Sequence, residues 1–157
     1  MDRVLINKRY SRAYTVIELA LVVIMASLVY GMVSPAARYY LDEAKVTVIE
    51  DVIEDMGQSI DDYFIANGDY PDSLEDVFGE IPLDEWGNPY QYRKILGVGG
   101  GIGPLRKDKN MVPINSDYDL YSMGPDGKTA SPLTAAISKD DIVRGRNGAF
   151  VGVATDY

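Results

Sequence analysis

From Tyr14 to Val33 the chain reads YTVIELALVVIMASLVYGMV, an apolar run with one charged side chain, Glu18. No further charge follows until Arg38. About 20 apolar residues in a helix reach roughly 30 Å, the thickness of a bilayer's hydrocarbon core. Ahead of the run stand Arg3, Lys8, Arg9 and Arg12 against Asp2 alone. The formal charge of the whole chain is −9, so a short basic head precedes an acidic body. That order predicts a cytoplasmic N-terminus, a single-pass segment and an exported body.

Two ordinary readings fit the run. One is a secretory signal peptide with small residues at Ser34-Pro35-Ala36-Ala37 as its cleavage region, and the other a plain signal anchor. Both put Glu18 in apolar surroundings without purpose, at a cost of about 2.5 kcal/mol or more. A carboxylate in such a place asks for a positive partner.

Composition narrows the chemistry. The 157 residues are 46% apolar and 25% charged, a globular balance and room for one ordinary domain. The acidic total argues against nucleic acid as a partner. With no cysteine there is no disulfide, thiolate zinc site or cysteine nucleophile; with no histidine there is no Ser-His-Asp triad or imidazole metal site. An enzyme is not expected, and hard cations held by oxygen remain open. Paired carboxylates such as Asp117 with Asp119 invite an anchored-hydrolase reading, although alternating strand acids usually face solvent.

Past Pro35 the helical pattern continues and becomes amphipathic. Leu41, Ala44, Val48, Val52, Met56 and Ile60 form a stripe widened by Ile49, Ile53 and Phe64, opposite a row of acids from Asp42 to Asp62. The row reads as a solvated face. Gly31 and Pro35 predict a kink, and Asn67-Gly68 a stop. From Tyr70 the pattern breaks into short segments. Asp72 or Ser73 would cap a short helix, and strands are expected over residues 90–96, 117–123 and 149–153. Residues 97–103 are glycine-rich but match neither a dinucleotide fingerprint nor a Walker loop, so they read as a flexible hairpin or loop. The expected fold class is α+β, a long helix packed on a small antiparallel sheet.

The segment Arg12-Ala13-Tyr14-Thr15-Val16-Ile17-Glu18-Leu19 resembles the class III signal of type IV pilins and type II secretion pseudopilins. The resemblance implies cleavage by the prepilin peptidase between Ala13 and Tyr14, methylation of Tyr14, and Glu18 as the fifth mature residue. Ala13 stands where that family usually has Gly. Pro35 matches the family's helix-bending proline. The implied organisation is a leader over 1–13, a transmembrane and filament-core helix over 14–35, its amphipathic continuation over 36–67, and a small α+β region over 68–157. Glu18 would meet the free amine of Tyr14 on a neighbouring subunit and set the stagger between helices.

Two later stretches sharpen the likeness. Leu83-Asp84-Glu85-Trp86-Gly87-Asn88-Pro89-Tyr90-Gln91-Tyr92 is similar to the DPWGNPYQY segment of the major, G-type pseudopilin. Asp119-Leu120-Tyr121-Ser122-Met123-Gly124-Pro125-Asp126-Gly127 is similar to its DLYSLGADG. Residues 97–116 and 128–139 depart from the pattern. The resemblance implies a type II secretion pseudopilus: a homopolymer built with an inner-membrane platform and minor pseudopilins, supporting export across the outer membrane. The alternative within the class is a surface type IV pilus for adhesion, DNA uptake or electron transfer. Structural Ca²⁺ is implied too, held by Asp126, the Met123 carbonyl, and Asp140 or Asp141 in the loop before Ile142. In a chain without disulfides such an ion would fix the C-terminal loops.

Overall fold

The computed structural model describes residues 15–97 and 103–157, apart from the side chains of 32–41. Helix α1 runs Val16–Asn67 and the short α2 Glu75–Phe78. Strands β1 (Gln91–Lys94), β2 (Tyr118–Ser122), β3 (Ile142–Gly145) and β4 (Phe150–Val153) form one antiparallel meander in the order β1-β2-β3-β4. Contacts divide the chain into two units, Met1–Leu41 and Asp42–Tyr157.

In the second unit, α1 packs through Ile49, Ile53, Met56 and Ile60, whose i, i+4, i+7, i+11 spacing makes one helical face. They meet Tyr118 and Leu120 of β2, Ile142 of β3, Leu74 and Tyr90. Burying each large side chain contributes about 1.5–3 kcal/mol. This face is rotated from the expected stripe: Val48 is 45% exposed, and Ala44 is also exposed. The fully buried positions begin at Ile49, with Val46 and Val52 packed at the edge of the same core. The helix ends where expected, with Gly68 at φ +78 donating its N–H to the Phe64 carbonyl (2.8 Å).

The strands at 91–94, 118–122 and 150–153 lie inside the expected ranges, but β3 was not expected there. Its Ile142-Val143-Arg144-Gly145 is short and carries no alternation, and the pairing Tyr121↔Val143 and Ile142↔Val153 makes it a strand. The expectation for the acids of β2 is corrected as well. Asp119 is 2% exposed, because β2 is covered on both faces. Tyr118 and Leu120 face the helix, while on the other side a second core gathers Ile114, Leu133, Val143 and Ala154, with Tyr121 packed against it. Loops supply that second layer. Neither Asp72 nor Ser73 caps α2 with its side chain; instead Asp76 Oδ2 accepts both of their backbone N–H groups (3.1 and 3.0 Å).

Candidate functional site

Ala13 and Tyr14 lie outside the described residues, as does the glycine-rich stretch 98–102. Pro35 falls where side chains are not described, and with it the expected kink. Glu18 is described. Its Oε2 accepts the Thr15 N–H (2.9 Å) and hydroxyl (3.1 Å), while Thr15 Oγ1 accepts the Glu18 N–H (3.2 Å). This is a capping box closing the start of α1, and the Thr-x-x-Glu spacing is its sequence signature, passed over when Glu18 is read only as an intramembrane acid. Beyond it, the large apolar side chains from Val16 to Tyr30 are exposed, Val16 at 84% and Tyr30 at 76%. Among the described residues no helix is long and apolar enough to cross a membrane. Of the Tyr14–Val33 run, Tyr14 and the side chains of Met32 and Val33 fall outside them.

The two stretches that carry the family resemblance in the second half are brought together. Asp84, 7% exposed, sits between them. Its Oδ1 accepts the N–H groups of Trp86 (3.0 Å) and Asn88 (2.8 Å), shaping the turn, and its Oδ2 accepts the buried Ser122 hydroxyl (2.6 Å). Asn88 in turn donates from Nδ2 to the Gly124 carbonyl (2.8 Å). A Cβ on Gly127 would come within 2.9 Å of Asn88 Oδ1, so the second turn needs its glycine for close approach as well as for its φ of +63. Trp86 packs on the helix-side core, and Lys45 of α1 donates to the Glu85 carbonyl (2.9 Å) while standing over the indole. The tryptophan turn is thereby fastened to helix and sheet alike.

Of the residues expected to hold calcium, Met123, Asp126 and Asp140 gather at one turn, while Asp141 is engaged by Arg106. Asp126 is exposed, and its Oδ1 accepts the Lys128 N–H (2.8 Å) within its own turn. Met123 is half-buried in the same turn. A Cβ on Gly124, which has φ +65, would overlap the Asp140 carbonyl and touch its carboxylate, so Asp140 lies against this turn. Asp141 is 0% exposed and occupied: its Oδ2 accepts from Arg106 Nη2 (2.6 Å) and from the Thr129 hydroxyl (2.6 Å). Among the described residues no group of three or more acidic, histidine or cysteine side chains could hold a metal ion. As a ligand Asp141 does not fit, because a guanidinium already neutralises it. Arg106 was missed by reading the sequence: its partner lies far along the chain, and nothing local marks the pair.

The acid pair does not form a catalytic dyad. Asp117 forms a two-pronged ion pair with Arg144 (2.7 and 3.0 Å), whose guanidinium lies 4.0 Å from the Tyr118 ring centre on the helix side. Asp119 belongs to the opposite layer, accepting the Arg106 N–H (3.0 Å) and the Asn115 amide (3.0 Å). Burial pushes its carboxyl above the ordinary carboxylate value despite those donors.

A long helix whose second half packs on a four-stranded meander, with the tryptophan turn locked to the turn after β2, is a pilin-like α+β arrangement. Over 143 aligned residues, 78% of this chain and 89% of the relative, the sequence is 28% identical to the type II secretion system core protein G of Pseudomonas aeruginosa. The chain is thus related to the G-type pseudopilins. No protein-family model matches it, and no solved structure matches it significantly.

Proposed function

We propose that this chain is a structural subunit of a type II secretion pseudopilus, without catalytic activity. It would be made as a single-pass inner-membrane protein with its C-terminal region in the periplasm. The prepilin peptidase would cut between Ala13 and Tyr14 and methylate Tyr14. Subunits would then polymerise through residues 14–35, with the membrane platform and minor pseudopilins, and the filament would help move folded proteins across the outer membrane.

The observation that carries this reading is the apolar surface from Val16 to Tyr30, exposed all round the helix. A helix apolar on every side belongs in lipid or in a protein core. Lipid before assembly and neighbouring helices afterwards would cover it in turn. Likeness to the pseudomonad core protein G supports the choice of a secretion filament. The Glu18 carboxylate, which accepts from the first turn of its own helix, has lone pairs left for an ammonium group such as the methylated Tyr14 amine of a neighbour.

Intact mass of the protein from cell envelopes tests processing. A species beginning at Tyr14 with one added methyl group is expected; a species beginning at Met1 beside an active prepilin peptidase would rule the filament out. Deleting the gene then separates the two filament types. Loss of a secreted enzyme is expected, whereas intact secretion with loss of long surface fibres would move the chain to the type IV pili.

A further inference from the structure

Met111 closes a tight turn and is 53% exposed. Its backbone is pinned through both polar groups: Met111 N–H donates to the Asp108 carbonyl (2.7 Å), and Asp108 N–H to the Met111 carbonyl (3.1 Å). Between them Lys109 has φ +47. Beside the sulfur stands a phenol that is itself held in place. The Tyr157 ring lies edge-on to Phe150 with centroids 5.2 Å apart, and the Arg146 guanidinium stands 4.9 Å over its centre. A Cβ on Gly145 would overlap the ring. Tyr157 also packs against the core of Ile114, Leu133, Val143 and Ala154. From that position its hydroxyl donates to Met111 Sδ at 3.5 Å. The contact clasps the 108–111 turn to the β3–β4 hairpin, and it is a weak clasp, because a thioether is a weak acceptor.

We propose that Met111 is an oxidation site and that its sulfoxide tightens this clasp. Hydrogen peroxide supplies the oxygen. The sulfur lone pair forms the S–O bond as the O–O bond breaks. The proton on the transferred oxygen passes to the departing hydroxide, which leaves as water; sulfur is oxidised by two electrons and peroxide reduced by two. The oxygen so added is a far stronger acceptor than the sulfur. Set off the line between sulfur and phenol, it comes to about 2.7 Å from the Tyr157 hydroxyl with the sulfur close to its present distance. The turn itself need not rearrange. Other described methionines are placed differently. Met56 is 4% exposed in the helix-side core, Met123 is half-buried, and Met25 lies in the apolar run that detergent covers in a solubilised chain. A sulfoxide at Met56 would put a polar group into apolar surroundings. At Met111 the new oxygen meets a donor already aimed at it.

Peroxide treatment of the detergent-solubilised full chain, followed by peptide mass mapping, tests the site. Met111 is expected to gain one oxygen faster than Met56 and Met123, by roughly five-fold or more. A smaller margin over either would overturn the assignment. Thermal unfolding read by Trp86 fluorescence then tests the clasp. Oxidation stopped once Met111 is converted should raise the midpoint by roughly 2–4 °C, the shift that one added hydrogen bond gives a chain of this size. An unchanged or lower midpoint would overturn the proposal. So would the same rise in Tyr157→Phe, which keeps the ring and loses the donor, or in Met111→Leu, which keeps the bulk and loses the sulfur.

Discussion

Replacing Asp84 by alanine removes the side chain that joins the tryptophan turn to β2. Three hydrogen bonds go with it: two from the half-exposed turn amides of Trp86 and Asn88, and one from the fully buried Ser122 hydroxyl. A bond to a charged acceptor contributes about 1.5–3 kcal/mol, and a buried hydroxyl left without its acceptor keeps the full cost of desolvation. The turn amides can recover water, so they add roughly 0.5–1 kcal/mol each. The expected loss is about 3–5 kcal/mol, a large share of the 5–15 kcal/mol by which a domain is commonly stable, and on the order of 10 °C in the unfolding midpoint. Ser122→Ala should cost less, about 1–3 kcal/mol, because the turn keeps its own two bonds. Urea unfolding of the solubilised chain, read by Trp86 fluorescence, measures both variants and their combination. The double variant should fall short of the sum by about 1 kcal/mol or more. A loss under about 1 kcal/mol for Asp84→Ala, or additivity within about 0.5 kcal/mol, would refute the view that this carboxylate ties the two turns together.

The rotation of the helix face gives a second contrast: Ile53→Ala should cost about 2–5 kcal/mol and Val48→Ala about 0.5 kcal/mol or less in the same urea assay. Two glycines at similar φ separate strain from close approach. Gly79→Ala, in open space at φ +80, should cost about 1–2 kcal/mol; Gly124→Ala should cost at least about 1 kcal/mol more, since its Cβ would overlap the Asp140 carbonyl. Asp119 sets a pH dependence. Burial raises its folded pKa above the unfolded value of 3.8, so its contribution to stability is complete below that value and is lost as pH rises through the folded pKa. Midpoints measured upward from about pH 4 should therefore carry a downward component that Asp119→Asn removes. An unchanged pH profile in that variant would contradict the burial argument.

Reading the helix from sequence worked to within a fraction of a turn. Val48 and Ile49 are both apolar and adjacent, and periodicity alone could not choose between faces offset by one residue. The sheet chose, by presenting Tyr118, Leu120 and Ile142 to Ile49, Ile53, Met56 and Ile60. In β2 the alternation of Asp117, Tyr118, Asp119 and Leu120 is the pattern of a strand with one wet face, and it misleads because loops cover that face here. The Thr15–Glu18 cap was legible, being a local spacing; the Asp84–Ser122 and Arg106–Asp141 contacts were not, because each joins residues more than thirty positions apart.

Features that depend on neighbours along the chain were legible before folding is considered. The apolar run from Tyr14 to Val33, the amphipathic stretch after it, the stop at Asn67-Gly68, and the turns around Trp86-Gly87 and Asp126-Gly127 all follow from local sterics, capping and hydropathy. The exclusion of cysteine and histidine chemistry follows from composition alone. The partner of each buried acid, by contrast, is set by folding. Asp84 shapes a turn and holds β2, Asp117 pairs with Arg144, and Asp141 is neutralised by Arg106 in the layer where a calcium ion was expected. A carboxylate's role is set by the charge and the donors that folding brings to it, and here those come from distant segments.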